Sequence, residues 1–394
     1  MAAVERLTEA PAQISAAAAL ERGEGRRVAI AHDWLVRLGG AERCLEELRL
    51  AFPDARLLTS VAEPRIAVDL LGNAEPSFLQ RIPGATRHHE LLLPMIPLAW
   101  RVRRPLEDLD VVISSSYACA NAVRVAAGIP HVSYCHTPMR YAWSYAEESG
   151  RLPGVLRAPG GAAMSAFRRW DRRTAPRVTL FVANSAAVAS RIGAFYGRPA
   201  LVVHPPVDTD FFTPDERERS GFLYVGRLTG YKRPDVAVRA FASLPGHTLT
   251  VVGDGPLLER LRSIATPNVR FRRHVTAVEL RELYRSSIAM VFPVNEDFGI
   301  AMAEAQACGT PVIGLAAGGA LDIVEHGRTG WLVDAQDARA VADAVTTAAA
   351  DPLESAEVVR SAARFGRLRF RRRMTEIVEQ LTAGATEADL LCAA

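Results

Sequence analysis

Residues 291–313, VFPVNEDFGIAMAEAQACGTPVI, decide how the chain is read. The apolar and β-branched residues over 288–293 fit a buried strand, 295–299 a turn, and 300–308 a helix stopped by Gly309 and Pro311. The turn therefore leaves a strand end and opens a helix, whose first N–H groups have no partner within the helix and carry a partial positive charge. Backbone at Phe298, Gly299 and Ile300 can donate hydrogen bonds to ligand oxygens there. Glu296 falls in the loop and Glu304 about two turns farther on, so one element can touch both ends of a ligand lying along it. Most glutamates are simply solvated. This helix, however, is otherwise mostly Ala, Met, Ile and Cys, which implies burial, and a buried carboxylate needs a partner.

The same strand, loop and helix order recurs on either side. Residues 28–31 read as a buried strand followed by His32 and Asp33, and Gly39 and Gly40 then precede a helix over 41–50. Further strands are legible at 56–60, 111–114, 131–134 and 180–183, with helical or irregular stretches between them, which implies a parallel sheet covered by helices on both faces. The proline-rich segment HPPVDTDFFTP (204–214) interrupts the pattern and reads as a hinge. Beyond it, strands at 221–226, 248–252 and 268–271 and helices at 278–284 and 338–350 make a second α/β unit. The expected organisation is a flexible tail (1–25), a first Rossmann-like domain (26–205), a second (206–366), and a last helix and tail (367–394).

At 394 residues, the chain is long enough for two domains of ordinary size. The net charge of +3 is too small to argue for a nucleic-acid partner. Of 47 basic residues one is a lysine, Lys232, which marks a place where a compact ammonium can do what a planar guanidinium cannot. Arginines cluster at 101–104, 168–177 and 360–373. The first cluster ends an apolar, proline-broken stretch, ELLLPMIPLAWRVRR (90–104); as core it is ordinary, and as an exposed loop it suits an anionic membrane surface, with Trp100 at the headgroups. Five cysteines without metal or redox spacing fit a reducing, cytoplasmic compartment. Asp208 and Asp210, one residue apart, are poor evidence for a metal and read as linker.

Two glutamates eight positions apart around Phe298-Gly299, together with AHDWL (31–35), GGAER (39–43) and CHTPMRY (135–141), resemble the retaining glycosyltransferases of family 4. The last three segments look most like bacterial mannosyltransferases of O-antigen and exopolysaccharide synthesis. The resemblance covers most of the chain. It implies two Rossmann-like domains facing each other across a cleft (GT-B), with a last helix crossing back to the first. It also implies a nucleotide-sugar donor, here GDP-mannose, a glycan or glycolipid acceptor, and no required cofactor or metal. By the same resemblance Arg227 and Lys232 meet the diphosphate, Glu304 the ribose, and Glu296 and His136 the donor sugar. Gly253, Asp254 and the backbone near Val275 flank the base, and Gly39 and Gly40 admit the phosphate and acceptor. The family retains anomeric configuration without an obvious carboxylate nucleophile, which implies front-side attack. Two departures bear on base recognition: Arg272, Arg273 and His274 stand where a glycine is usual, and Asp322 where a glutamate is commoner. The competing readings are a transferase tailoring a small natural product and, from another class, a sugar-nucleotide epimerase or a phosphorylase. The epimerase would need acid/base groups on both sugar faces, and the phosphorylase a phosphate or pyridoxal site.

Overall fold

Each half of the chain builds one all-parallel sheet, as seen in a computed structural model that describes residues 25–71, 74–143 and 154–393. The first contains β1 (Val28–His32), β2 (Arg56–Thr59), β3 (Ala74–Pro76), β4 (Val111–Ser116), β5 (His131–Cys135), β6 (Leu180–Ala183) and β7 (Leu201–Val202), in the order β3-β2-β1-β4-β5-β6-β7. The second contains β8 (Phe222–Val225), β9 (Leu249–Val252), β10 (Val269–Arg272), β11 (Ala289–Phe292), β12 (Val312–Leu315) and β13 (Gly330–Val333), in the order β10-β9-β8-β11-β12-β13. β1, β4, β5, β6 and β11 are buried along their whole length, as strands with helices on both faces must be. In each sheet the winding reverses beside the first strand, between β1 and β4 and between β8 and β11. Such switch points open crevices at the carboxyl ends of the strands, where ligands bind in open α/β sheets.

The chain passes between the halves twice, and the two crossings hold each other: Val207 N–H donates to the Phe365 carbonyl at 2.8 Å. The second crossing leads into the Arg367–Thr382 helix, which places Phe370, Met374, Ile377 and Val378 in the first domain's core beside Ile30 and Tyr134. Its arginines hold the buried Glu47 carboxylate, Arg367 at 2.6 Å and Arg371 at 3.0 Å. Arg367 also binds Asp208 at 2.8 Å, which gives that linker carboxylate a structural partner.

Two expectations are corrected. Residues beyond 382 are not all tail: Thr386 and Asp389 form a capping box for a helix at Glu387–Cys392, Leu390 is buried, and Arg198 pairs with Glu387. The stretch 90–104 is neither wholly core nor a loop. It forms two helical segments, His89–Met95 and Ile96–Val102, that bury Leu93, Ile96, Ala99 and Trp100. At 1% exposure Trp100 cannot reach headgroups. Residues 1–24 of the expected N-terminal tail lie outside the described residues.

Candidate active site

In the second domain, the loop after β8 carries Arg227 and Lys232. Buried Tyr224 donates its hydroxyl to the Lys232 carbonyl at 2.9 Å and so pins the Gly230–Lys232 turn to the sheet. The Lys232 ammonium is in direct ion-pair contact with Glu296 and lies 5.3 Å from the centre of the Phe292 ring. Burial, and then the positive charges of Arg140 and Arg227, push Lys232 down to about 7, against the pull of Asp297. Arg227 donates to the Tyr231 hydroxyl at 2.6 Å. A side chain at Gly253 would run into the Gly226 carbonyl, so the loop after β9 nests on the loop after β8, and Leu228 N–H donates to the Asp254 carbonyl at 3.0 Å. The Asp254 carboxylate takes Arg273 at 2.7 Å, with His274 at 3.7 Å, which gives the two unusual residues after β10 a common partner. Half-buried Val275 packs against the second core beside them.

The loop after β11 is held from behind. Gly319 N–H donates to the Glu296 carbonyl at 2.8 Å, and neither Gly318 nor Gly319 has room for a Cβ against Glu296 and Phe298. The Phe298 side chain is buried, stacked at 5.5 Å on His204 of the hinge. Gly299 adopts φ +97°, a left-handed conformation that glycine takes without cost, and caps the Ile300–Ala307 helix. Glu304 is buried in this helix; it accepts from the Tyr284 hydroxyl at 3.1 Å and ion-pairs with Arg43 of the first domain. Burial raises its pKa, and the Arg43 guanidinium opposes the rise.

The first domain meets this face with the amino end of its Gly40–Ala51 helix, which Gly39 caps. A Cβ at Gly40 would lie 2.8 Å from Ile300 Cδ1, so a bare backbone is what lets the two helix starts approach. Behind them runs a buried polar string. Glu42 lies 3.5 Å from His32 Nε2, His32 Nδ1 is 3.1 Å from Ser115 Oγ, and Ser115 Oγ is 2.9 Å from His136 Nε2. Burial works against ionisation of Glu42, yet the hydrogen bond and charge of His32 outweigh it and hold this carboxyl below its usual range. Ionised Glu42 faces a proton on His32 Nε2. With the His32 ring neutral and its proton on Nε2, Nδ1 accepts from the Ser115 hydroxyl, whose oxygen accepts from His136 Nε2–H, leaving His136 Nδ1 as an acceptor. Burial, followed by the neighbouring His32, pushes His136 down to about 3, so its ring is neutral at physiological pH.

The structure thus pairs Lys232 with Glu296 directly, sets Arg227 beside them on Tyr231, and brings Gly40 against Ile300 and Glu304 against Arg43. Gly253, Asp254 and Val275 form a separate edge. The sequence reading did not assign the partners that cross the cleft: Arg43 to Glu304, Arg191 to Asp297, and Ala186 N–H to Asp322 at 2.9 Å. Arg43 sits within the quoted GGAER, but a side chain three residues into a helix carries no mark of what lies opposite. The last contact also gives Asp322 a role, since its carboxylate meets the amino end of the Ala186–Tyr196 helix, where negative charge is favoured.

Comparison with known proteins identifies the family and agrees with the two-sheet fold. The family described as Glycosyltransferase Family 4 matches residues 38–211, and Glycosyl transferases group 1 matches residues 208–365. A GDP-mannose-dependent alpha-(1-6)-phosphatidylinositol monomannoside mannosyltransferase of Mycolicibacterium smegmatis is 34% identical over 198 residues, 42% of this chain and 52% of that protein. A D-inositol 3-phosphate glycosyltransferase of Pseudarthrobacter chlorophenolicus is 31% identical over 359 residues, 78% of this chain and 83% of its own length. Against the first relatives matched, the aligned stretch spans only about half of the relative, 52%, 60% and 47%. Among solved structures, Anabaena HepE in complex with UDP and glucose superposes with a TM-score of 0.68 at 18% identity, over 90% of this chain and 99% of that one.

Proposed function

Because this chain belongs to the glycosyltransferases of family 4 and group 1 and shares their GT-B fold, we propose that it moves a hexose from a nucleoside diphosphate sugar to an acceptor hydroxyl with retention at the anomeric carbon. One observation carries the reading: Arg227 and the Lys232–Glu296 pair lie on the loops after β8 and β11, at the second sheet's switch point, facing the first domain's helix start. In this reading the cations meet the diphosphate and Glu296 turns to the sugar. Glu304 exchanges Arg43 for the ribose hydroxyls, and His136 Nδ1 accepts from a sugar hydroxyl. The acceptor oxygen attacks the anomeric carbon on the face the diphosphate leaves. The bond from that carbon to the phosphate oxygen breaks with its electron pair going to phosphate, and the acceptor's proton passes to that same oxygen. Arg227 and Lys232 stabilise the charge that grows there.

The donor proposed is GDP-mannose and the acceptor a glycan or glycolipid at an anionic membrane face. The mannosyltransferase relative and the AHDWL and CHTPMRY segments support the donor. Exposed Leu91, Met95, Leu98 and Val102 beside exposed Arg101 and Arg104 support the membrane face, and no helix among the described residues is long and apolar enough to cross a membrane. Hydrolysis of sugar nucleotides without acceptor tests the donor: GDP-mannose should turn over fastest, and faster turnover of any uridine or thymidine sugar would remove it.

A further inference from the structure

Four side chains from four elements meet at the carboxyl edge of the first sheet, and the sheet itself sets their spacing. Parallel pairing places His32, the last residue of β1, directly opposite Ser115 of β4. His136 N–H donates to the Ser116 carbonyl at 2.9 Å, so the first residue after β5 lies at the same edge. Glu42 enters from the first turn of the Gly40–Ala51 helix, where a carboxylate is favoured. Both imidazoles are held in place. Tyr117 meets His32 edge-on at 5.8 Å and His136 at 6.1 Å between ring centres, and Tyr134 meets His136 at 5.1 Å. Asn184 donates its amide to the His136 carbonyl at 2.9 Å. Packing of this kind opposes a ring turning over to exchange its two nitrogens.

Three of the four members can serve in either direction. A hydroxyl donates or accepts, and a neutral imidazole donates at one nitrogen and accepts at the other. An ionised carboxylate only accepts, so Glu42 is the member that gives the string its direction. Its Oε1, 3.5 Å from His32 Nε2, calls for the proton on that nitrogen and leaves Nδ1 bare. Ser115 has one proton and spends it on His32 Nδ1 at 3.1 Å, so toward His136 Nε2, at 2.9 Å, it can only accept. The choice of proton on His136 is thus made at the start of a helix two links away.

Resting on the proposed placement of His136 at the donor sugar, we propose that Glu42 is a positioning residue for glycosyl transfer. Acting through His32 and Ser115, it keeps His136 Nδ1 unprotonated, so that His136 takes a proton from a sugar hydroxyl and disfavours a donor that has no proton to give there. A site built to accept from one hydroxyl loses that bond when its own polarity is reversed. Glu42 and Arg43, adjacent in GGAER, then serve the two ends of the donor, one through His136 and the other through Glu304.

The test joins nitrogen NMR of the full chain, labelled in its histidine rings with heavy nitrogen, to hydrolysis of GDP-mannose and UDP-glucose, taking whichever the wild type turns over faster. Protonated and bare ring nitrogens resonate far apart, and the signals lost in His136→Ala identify His136. Wild type should show His136 protonated at Nε2 and bare at Nδ1. Glu42→Gln keeps the shape but presents either an N–H or an oxygen, so part of the His136 population should move its proton to Nδ1. With that change, kcat/KM for the sugar nucleotide should fall about tenfold, the scale of one lost hydrogen bond, while affinity for the free nucleoside diphosphate stays within about twofold. Ser115→Ala cuts the string in the middle and should give the same pair of changes, which serves if Glu42→Gln melts early. A wild-type His136 protonated at Nδ1 overturns the inference, as does an unchanged His136 signal in both variants, whatever their activity. A loss confined to the acceptor KM overturns it as well, by moving Glu42 to the acceptor. If His136→Ala impairs the sugar nucleotide and Glu42→Gln does not, the sugar site stands and the inference falls. If His136→Ala also turns over normally, the placement of His136 falls, and the inference with it.

Discussion

The two strand–loop–helix units that face each other across the cleft solve the same problem differently. After β1 the first domain satisfies its polar groups internally: the buried Asp33 carboxylate takes the N–H groups of Tyr117, Ala118, Cys119 and Ala120 at 2.6–2.8 Å, and Glu42, His32, Ser115 and His136 form one string. Around β11 the second domain finds partners for Glu304, Asp297 and Asp322 in the other domain, and Glu304 also accepts from Tyr284 of its own. One unit is finished without a ligand. The other holds charges whose present partners a ligand must replace, so donor binding and domain apposition draw on the same carboxylates, and a ligand shifts that balance only by its differential contacts.

The sharpest way to break this contrast is to remove one charge from each side. Lys232→Ala deletes a loop cation without opening a core, and should lower kcat by about 10²–10³-fold with an unchanged thermal midpoint. Lys232→Arg should be impaired as well, because a planar fork cannot replace a compact ammonium against Glu296. Asp33→Ala should do the reverse and cost about 3 kcal/mol or more of stability, since four buried N–H groups lose their acceptor. Steady-state kinetics beside thermal melts read both. Near-native turnover in Lys232→Ala, or an unchanged midpoint in Asp33→Ala, contradicts the division of labour.

A smaller effect separates the two glutamates. Glu304→Ala should weaken the free nucleoside diphosphate by about tenfold to a hundredfold, as expected for charge-assisted hydrogen bonds worth about 1.5–3 kcal/mol. Glu296→Ala should leave that affinity near normal and weaken only the sugar nucleotide. Arg43→Ala sharpens the point, because it frees the Glu304 carboxylate without touching the proposed ribose contact. Calorimetry with both ligands decides, and equal losses for both ligands in both glutamate variants would sink the assignment.

Milder still is the pH dependence. In the free protein burial and neighbouring arginines hold Lys232 at about 7, below an ordinary lysine, and a bound diphosphate raises it again. Below pH 7 the ammonium already exists, so affinity should be flat. As pH rises above about 7, binding must take up a proton, so nucleoside diphosphate affinity should fall by up to tenfold per unit. Titrations in buffers of different ionisation enthalpy count that proton, and affinity that rises with pH would contradict the assignment.

Much of this arrangement is legible in the chain itself. Strands alternate with helices at spacings that announce parallel sheets, and the run from β11 through the Ile300–Ala307 helix fits the reading of 291–313 to within about a residue. Ala74–Pro76 gives no such signal, because a three-residue edge strand has too few positions for a pattern. The need of buried Glu304 for a partner was also readable, but not which partner. Arg43 is 261 residues away in sequence, and periodicity describes one element's own faces, not what folds against them. The same limit hid the place of Arg140, whose guanidinium lies over Tyr231 of the other domain.

The arginine clusters show that limit at its plainest, and they yield the smallest expected effect. Arg168 and Arg172, of the second arginine cluster, bind the Ala142 and Phe195 carbonyls. Along residues 91–102 the outward residues Leu91, Met95, Leu98 and Val102 recur every three or four positions, the spacing of one helical side, with Arg101 and Arg104 exposed beside them. That face should bind anionic vesicles at low salt and release them as salt rises, each exposed cation contributing about 1 kcal/mol. Arg101→Gln and Arg104→Gln should each weaken sedimentation with vesicles severalfold, and Leu98→Ser should weaken it without changing the salt slope. Arg168→Gln should leave vesicle binding alone and instead loosen the Arg140–Trp143 helix, which Arg168 holds at the Ala142 carbonyl. If the wild-type protein stays in the supernatant at low salt, the acceptor is a soluble one, and the outward leucines of this helix carry no membrane role.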